Sequence, residues 1–408
     1  MLSHDIVIVG GGAAGISAAA SLLRRRPGLD IVIVEPSDTH YYQPGFTLVG
    51  AGIFMPEQLR RPTASLIPKG ATWLRTSAKA FDPQLDNVIL EDGRRLRYRL
   101  MIVATGNRLE FDAIEGLSET LGKHGVTSNY RSDLAPYTWE LVRALAMGRA
   151  LFTQPPMPIK CAGAPQKAMY LSCSEWERHG RLDAIDVEFH SAGAVLFGVA
   201  AYVPALEKTV ERYGIGVHLG SNLIAVDGPS KTAVFKSEVG EISRHFDMLH
   251  VTPPQKGGKV VTDSELADTA GYVDVDQATL RHKRFPNVMA LGDAGNMPNA
   301  KTAAAVRKQA PVVAVNALAI LDGQPPTAAY DGYGSCPLTV EKGKVILAEF
   351  GYGGALQPSF PTWLIDGTNP SRLAWILKKN LLPPIYWDAM LKGHEWLAAP
   401  KSLQDAGR

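Results

Sequence analysis

The sequence predicts an α/β protein: two tandem Rossmann-like, three-layer dinucleotide-binding domains, the second lacking a nucleotide site, followed by a C-terminal amphipathic membrane-interface region. Three observations carry this expectation. A glycine-rich strand–turn–helix unit opens the chain at 5–36. A second strand–helix–strand series fills the middle third without those glycines. Apolar and basic runs dense in aromatic residues close it at 369–403. With 408 residues the chain is long enough for two or three cores. The expected division is 1–112 with 281–330 for the first domain, 113–280 for the second and 331–408 for the C-terminal region.

The opening unit comes first. Ile6 to Val9 is an unbroken apolar strand, and Ile31 to Val34 is another that ends in Glu35. Between them Gly10-Gly11-Gly12-Ala13-Ala14-Gly15 fits G-x-G-x-x-G, and a helix follows through Leu23. Gly10 permits the tight turn, Gly12 lets the backbone approach a pyrophosphate, and Gly15 lets the helix pack close to the strand. The helix N-terminus attracts phosphate charge. Glu35, 20 residues after Gly15, is placed to bind the ribose hydroxyls of an adenosine.

Composition narrows the classes. Hydrophobic content of 46% and charged content of 20% exclude a disordered chain and an ordinary polytopic membrane protein. A net charge of +2 is too balanced for a nucleic-acid partner. No apolar run reads as long enough to cross a bilayer as a helix. The first strand begins by Asp5, so no targeting segment is expected and a reducing cytoplasmic context is the default. The three cysteines, Cys161, Cys173 and Cys336, are too few for a structural disulfide framework.

Two later strands extend the first domain. "RYRLMIVATGNRLE" ends its strand in Ala104-Thr105-Gly106, and "FPNVMALGDAGNMPNAKTAAAV" ends its strand in Leu291-Gly292-Asp293 before a helix opened by Lys301 and Thr302. With the glycine unit, this triplet resembles the two-dinucleotide-binding-domain flavoproteins. The resemblance implies FAD as cofactor. It places Asp293 on the ribityl and pyrophosphate region and the helix end at Lys301 and Thr302 on the flavin's pyrimidine edge. A positive helix end there stabilises an anionic reduced flavin. It also implies cofactor contacts from Gly106, from Gln43 in the aromatic loop "THYYQPGF", and from the backbone near Ala78. Ala78 lies in a meander with a hairpin turn at "EDG".

The middle third departs from a nicotinamide-using member of that fold. "RALFTQP" (149–155) reads as a strand and "KAMYLSCSEW" (167–176) as the start of a helix, but the turn between them is "MPIKCAGAPQ". Its prolines withhold N–H groups a pyrophosphate needs. The next strand, Ile185 to Phe189, ends at His190 and Ser191, with no ribose-binding acid. Cys161 stands where the nicotinamide nucleotide would lie. Cys161 and Cys336 each abut glycine or proline in a turn, where a thiol can be exposed. Cys173 lies in a helical run and reads as a small buried hydrophobe.

"KCAGAPQKAMYLS" (160–172), "EPSDTHYYQPGFTLVGAG" (35–52), "AKTAAAV" (300–306) and "YDGYGSCPL…VILAEF" (330–350) resemble the sulfide:quinone oxidoreductases, in the branch that includes the mitochondrial enzymes. That branch keeps two redox cysteines, matching Cys161 and Cys336. Other branches carry a third, which is absent here between the Thr105 region and Cys161, so the resemblance implies noncovalent FAD. It implies a Cys161–Cys336 disulfide or trisulfide that hydrosulfide opens by thiol–disulfide exchange. Cys336 then carries the outgoing persulfide and Cys161 faces the flavin. A small nucleophile such as glutathione, sulfite, cyanide or a second sulfide removes the sulfur. Lys160 is the residue expected to favour the Cys161 thiolate. No catalytic base and no metal are assigned.

The tail "NPSRLAWILKKNLLPPIYWDAMLKGHEWLAAPKSL" (369–403) reads as two short helices divided by Pro383-Pro384. With Lys378, Lys379 and Lys392 they are suited to a membrane interface, and the resembling family uses such a tail as a monotopic anchor. A quinone, ubiquinone or menaquinone, would reach the flavin from there, past Phe350, Tyr352 and Phe360. The expected location is peripheral on an inner or cytoplasmic membrane, in a bacterium; a homo-oligomer is left open. Two other readings stand at this point: an NADH:quinone oxidoreductase-like flavoprotein, and a sulfur- or electron-transfer flavoprotein subunit.

Overall fold

The computed structural model describes residues 2–404, so Met1 and residues 405–408 of the expected C-terminal region lie outside the described residues. The first sheet is built around the Leu2–Val9 strand, which pairs in parallel with Ile31–Val34 on one side and Arg95–Val103 on the other. Ala71–Leu74 extends the first edge and Val288–Ala290 pairs with Arg95–Val103, both in parallel. Asn87–Leu90 and Ala78–Asp82 add an antiparallel meander. Unbroken Val and Ile in the central strands follow from this placement, because a parallel sheet covered by helices buries both faces. Helices Ala13–Arg25 and Ala303–Leu321 pack on it and on each other.

Ala303–Leu321 is long and apolar enough to cross a membrane, contrary to the sequence-based expectation. Its most apolar window is 56% buried, and Val306, Ala310, Val313, Ala314 and Ala317 lie in the first-domain core, so it is a core helix. Thr302 caps it, its Oγ1 accepting the Ala305 N–H at 3.2 Å.

The second sheet repeats the design. Its parallel strands run in the order Val126–Thr127, Met248–His250, Gly148–Gln154, Ile185–Ser191 and Gly216–Leu219. A three-stranded antiparallel sheet, Asn222–Asp227, Thr232–Ser237 and Gly240–His245, stands in the place of the meander. Two Rossmann-like sheets in tandem are thus present.

The C-terminal region begins with an antiparallel hairpin, Gly334–Glu341 against Lys344–Phe350. Alternation along its strands gives it two different faces. Cys336, Leu338, Val340, Ile346 and Ala348 point into the second-domain core, with Met169 and Phe197. Val345 and Leu347 point the other way, onto Ile365, Ala374, Phe360, Trp375 and Leu377. Cys336 therefore lies inside a strand, not in an exposed turn. Pro337 beside it is tolerated because the pair is only two strands wide and one edge needs no N–H.

The tail is one helical run from Arg372 to Lys392, and Pro383-Pro384 does not divide it. The turns at Leu377–Leu381 and Ile385–Ala389 are widened, which absorbs the two missing N–H donors without leaving helical backbone angles. One side of this run docks on the first domain. His40 Nε2 bonds Tyr386 Oη at 2.6 Å, Tyr42 packs at a tilt on Tyr386 and Trp387, and Tyr386 meets Trp387 edge to face. The other side leaves Leu373, Ile376 and Leu381 exposed.

Three buried histidines make the fold acid-sensitive. Burial pushes His40, His190 and His250 from the ordinary 6.5 down to about 4. Each stays neutral in the fold but gains a proton in the unfolded chain near 6.5. The stability they contribute is complete above that pH and is lost as pH falls toward 4, on the order of 3 kcal/mol per residue. Melting temperature is expected to fall steeply between pH 6.5 and 4.5; a flat profile across that window would contradict this account.

Candidate active site

The glycine loop has the geometry its sequence predicts. Gly10 has φ +109°, and a Cβ there would meet the Ala104 carbonyl oxygen at 2.3 Å. A Cβ on Gly15 would lie 1.8 Å from the Gly10 oxygen, whereas one on Gly12 meets nothing within 4 Å. The space in front of Gly12 is a cradle a side chain would fill. Ala13 and Ala14 open the helix behind it, and Gly292 abuts Ala14. The carboxylate of Glu35 accepts the Gly11 and Ser37 N–H groups, each at 2.8 Å. Ala78 starts its strand four residues past Leu74, whose carbonyl accepts the Glu35 N–H at 3.1 Å.

Around the cradle lie polar groups without protein partners. Thr105 Oγ1 and Gln309 Nε2 are buried and unbonded, while Gln309 Oε1 accepts the Gly292 N–H at 2.7 Å. Gly106 has φ +69° and open space at its Cβ position. Asp293 is partly exposed, and burial raises its carboxyl above the ordinary range. Lys301 is turned away from the open helix end: its amine donates to the Asp293 and Gly295 carbonyls at 2.9 and 2.7 Å. Burial pushes it down to about 8. It braces the Asp293 loop, and the helix end itself is presented by Thr302, Ala303 and Ala304, all partly exposed. Open backbone at Gly12, an acid at the second strand end and unsatisfied polar atoms at Thr105 and Gln309 fit a bound dinucleotide.

The second turn carries the thiols. After the Gly148–Gln154 strand the chain runs through three prolines to Cys161, which has φ +49°, a left-handed conformation that costs a non-glycine residue about 1–3 kcal/mol. Hydrogen bonds on each side hold it there. The Cys161 N–H donates to the Lys301 carbonyl at 2.9 Å, and its own carbonyl accepts from Ala164 N–H at 2.7 Å. Tyr130 Oη donates to the Lys160 and Cys161 carbonyls at 3.0 and 3.3 Å. The Lys160 N–H donates to Gln255 Oε1 at 2.8 Å. The turn is thereby tied to the start of the Ala303–Leu321 helix, on the predicted flavin side.

Helix Ala164–Arg178 follows, and its first turn brings in a residue that sequence reasoning missed. Lys167 is 4% exposed, with Nζ 3.0 Å from Cys161 Sγ and 3.9 Å from Cys336 Sγ. Cys336 is 2% exposed and approaches this closely because Gly163 has no side chain; a Cβ there would lie 2.5 Å from its sulfur. Both cysteines are free thiols here, and both sulfurs face the Lys167 ammonium. The neighbouring Cys336 thiol and the Lys167 charge hold the Cys161 thiol well below its ordinary value, against burial. The neighbouring Cys161 sulfur, with burial, holds the Cys336 thiol well above its own. Burial alone would lower the Lys167 ammonium, yet the facing sulfurs raise it. The arrangement favours ionisation at Cys161 over Cys336, with Lys167 as counterion.

Lys160 does not serve as that counterion. Its amine donates instead to Gln43 Oε1 at 2.9 Å, linking the aromatic loop to the cysteine turn. Cys173 is fully buried, and burial raises its thiol. Lys378, expected at a surface, is buried against the back of the hairpin, donating to the Pro337 carbonyl at 2.9 Å and to Thr339 Oγ1. His190 and His218 converge on Glu188 at 3.0 and 3.2 Å, but Arg149 and Arg244 bond the same carboxylate at 3.1 and 3.2 Å. Two guanidinium groups already neutralise it, so this is an ion network of the second domain.

Comparison with known proteins gives a consistent placement. Residues 4–140 match the family described as pyridine nucleotide-disulphide oxidoreductase. The chain is 44% identical to the mitochondrial sulfide:quinone oxidoreductase of Dictyostelium discoideum, over 95% of this chain and 86% of that one. It is 38% identical to the mitochondrial sulfide:quinone oxidoreductase of Mus musculus, over 96% and 87%. The fold matches the crystal structure of the sulfide:quinone oxidoreductase from Aquifex aeolicus with a TM-score of 0.80 at 18% identity, covering 97% of this chain and 92% of that one. These two relatives are eukaryotic, so the expected bacterial source gains no support. The chain belongs to the sulfide:quinone oxidoreductase family.

Proposed function

We propose that the protein oxidises sulfide and reduces a membrane quinone, with FAD held noncovalently between the two half-reactions. The observation that carries this is the Cys161–Cys336 pair with Lys167 Nζ 3.0 Å from Cys161 Sγ, with Cys161 in the turn where a nicotinamide nucleotide would otherwise be cradled and Cys336 brought to it by the hairpin. Gly10, Gly12, Ala13, Ala14 and Gly15 would hold the pyrophosphate and Glu35 the ribose. Ala78 backbone, Gly106, Gln43, Asp293 and the helix end at Thr302 would hold the rest, with Lys301 bracing Asp293. The assignment of residues 1–112 with 281–330 to cofactor binding, 113–280 to a domain without nucleotide, and 331–408 to sulfur chemistry and membrane docking follows from it.

The working cycle starts from a Cys161–Cys336 disulfide or trisulfide. Hydrosulfide attacks Cys336 Sγ; a new S–S bond forms there as the bond to Cys161 breaks, and its electron pair leaves on Cys161. Lys167 stabilises that leaving thiolate. Cys336 holds the persulfide until a small nucleophile such as glutathione, sulfite, cyanide or sulfide takes its outer sulfur. The two cysteine sulfurs then give up two electrons as their bond reforms. When bound, the flavin supplies the two-electron acceptor for this step and passes the pair to quinone. Trp363, Leu373, Ile376, Leu381, Trp396 and Leu397 give the C-terminal region an exposed apolar side, which supports a peripheral place on an inner membrane.

Under anaerobic conditions sulfide is expected to bleach the flavin within the mixing time of a turnover, and decylubiquinone to restore its colour. NADH at the same concentration should leave the spectrum unchanged. Bleaching by NADH and not by sulfide would overturn this reading and favour a nicotinamide-fed quinone reductase. Bleaching by sulfide without recovery on quinone would favour an electron-transfer subunit.

A further inference from the structure

Where the tail docks on the first domain it closes a cavity that contains none of the residues assigned to the cofactor or the sulfur site. We propose that this cavity binds the headgroup of an anionic phospholipid; this rests on the peripheral membrane location above and adds the lipid chemistry. The cavity, about 340 Å³, lies between helix Ala13–Arg25, the 65–69 loop and the helical run of the tail. That size is in the range of small-molecule sites, roughly 300–1,000 Å³. Each of the three elements supplies one cation to the lining, Arg24, Lys69 and Lys392, and no acid lines it. Leu23, Ile67, Trp387 and Leu391 make its apolar wall.

The cations are available to a ligand. Three arginines close the first helix, and two are committed: Arg25 donates to Glu395 Oε2 at 2.7 Å and Arg26 to Asp322 Oδ1 at 2.9 Å. Arg24 and Lys69 are exposed and form no ion pair among the described residues. Lys392 pairs with Asp388 at 3.0 Å, but both are more than half exposed, so that bond is worth little. Arg61 lies over the Trp387 ring at 4.4 Å and brings a fourth cation to the edge of the site. A phosphodiester complements this charge: the Arg24 guanidinium forks onto its oxygens and the two ammonium groups add point charge. The glycerol and upper methylenes then rest on the apolar wall. A choline group would bring one more cation among these four, so the site favours anionic over zwitterionic lipid.

The surroundings of the cavity suit a bilayer surface. Glu395 accepts from Arg25 and from Ser21 Oγ at 2.6 Å, and Arg307 donates to the Trp396 carbonyl. These bonds fix the chain after Lys392 against the same helix that carries Arg24. Trp396 and Leu397, which follow, are 65% and 81% exposed. An exposed indole and an exposed leucine beside unpaired cations match a membrane-interface contact. One phosphate held by a helix, a loop and the tail draws all three together, so lipid binding and tail docking stabilise each other.

The test is flotation of the full-length holoenzyme with vesicles of phosphatidylcholine and with vesicles of phosphatidylcholine mixed with phosphatidylglycerol. Wild type is expected to bind the mixed vesicles more tightly. The Arg24→Gln, Lys69→Gln double variant should lose about 30-fold in that affinity, about fivefold per charge, and stay within about twofold on phosphatidylcholine alone. The Lys208→Gln, Lys236→Gln double variant removes two exposed lysines of the second domain and should stay within about twofold of wild type on both. Flavin absorbance checks that each variant folds. Calorimetry with dihexanoyl phosphatidylglycerol, dihexanoyl phosphatidylcholine and inorganic phosphate separates a lipid site from a phosphate site. Only the first should bind wild type, and none should bind the Arg24, Lys69 variant. Equal losses in the two double variants, wild-type affinity in the first of them, or saturation by inorganic phosphate alone would overturn the lipid site. A wild type that binds both vesicles equally also overturns it and leaves the membrane location standing. A wild type that floats with neither vesicle overturns the membrane location itself.

Discussion

Cys161→Ser and Cys336→Ser are each expected to lower sulfide-driven flavin bleaching by at least about 1000-fold, while Cys173→Ser stays within about twofold of wild type. Removing either member of the pair removes the S–S bond that sulfide must open, and a serine hydroxyl neither forms that bond nor ionises near neutral pH. The loss should be equal for the two because the pair acts as a unit. Their environments nevertheless differ: Cys161 is partly exposed beside Lys301 and Cys336 is buried in the second-domain core. Trapping should separate their roles. With a limiting acceptor, mass spectrometry of the sulfide-treated enzyme is expected to find the persulfide on Cys336, and Cys161→Ser should accumulate none. Cys173 serves as the control, being fully buried and far from any charge that would ionise it. Flavin absorbance of each variant before mixing checks that the site still assembles. Wild-type bleaching in both single variants would leave the thiol mechanism without support.

The dinucleotide frame was readable because its constraints are local. Gly10 must turn, Gly15 must let a helix approach, and Ile31–Val34 must be apolar on both faces, so residue type follows directly from backbone geometry. What escaped reading depends on contacts far apart in sequence. Lys167 follows Cys161 by six residues, and a helix taken to begin at Lys167 gives it no reason to face the turn. The helix begins at Ala164, with Pro165 in its first turn, and that places Lys167 over both sulfurs. Pro165 was the available signal. Lys160 was the wrong lysine because it is adjacent only in sequence; the turn throws its amine toward Gln43. The tail was half legible. Its apolar and basic mixture matches an interface, but whether a given residue meets lipid or the fold depends on the docking partner. His40 and Tyr42 capture Tyr386 and Trp387, and the hairpin captures Lys378.

Lys167→Met should lower the bleaching rate about 100-fold at pH 7, second only to loss of a cysteine. The argument is electrostatic. In the wild type the Cys336 thiol and the Lys167 ammonium hold the Cys161 thiol well below its ordinary value. Without the ammonium, only the neighbouring Cys336 thiol and more distant charge oppose burial, and the Cys161 thiol moves up toward its ordinary range. A smaller fraction is then thiolate at pH 7, and the sulfur is also a poorer leaving group when sulfide attacks. The sign of the pH effect follows. A thiol ionises as pH rises, so the rate of Lys167→Met relative to wild type should climb from pH 7 toward 9, the ratio cancelling the ionisation of sulfide itself. Lys167→Arg keeps the charge on a longer, planar group in a fully enclosed site, so it should retain the flat profile while losing part of the rate. A purely structural role for Lys167 predicts something else: a loss that is the same at every pH and is shared by the arginine variant. Measuring the ratio at three pH values decides between them, because only a counterion to Cys161 makes alkaline pH a substitute for Lys167.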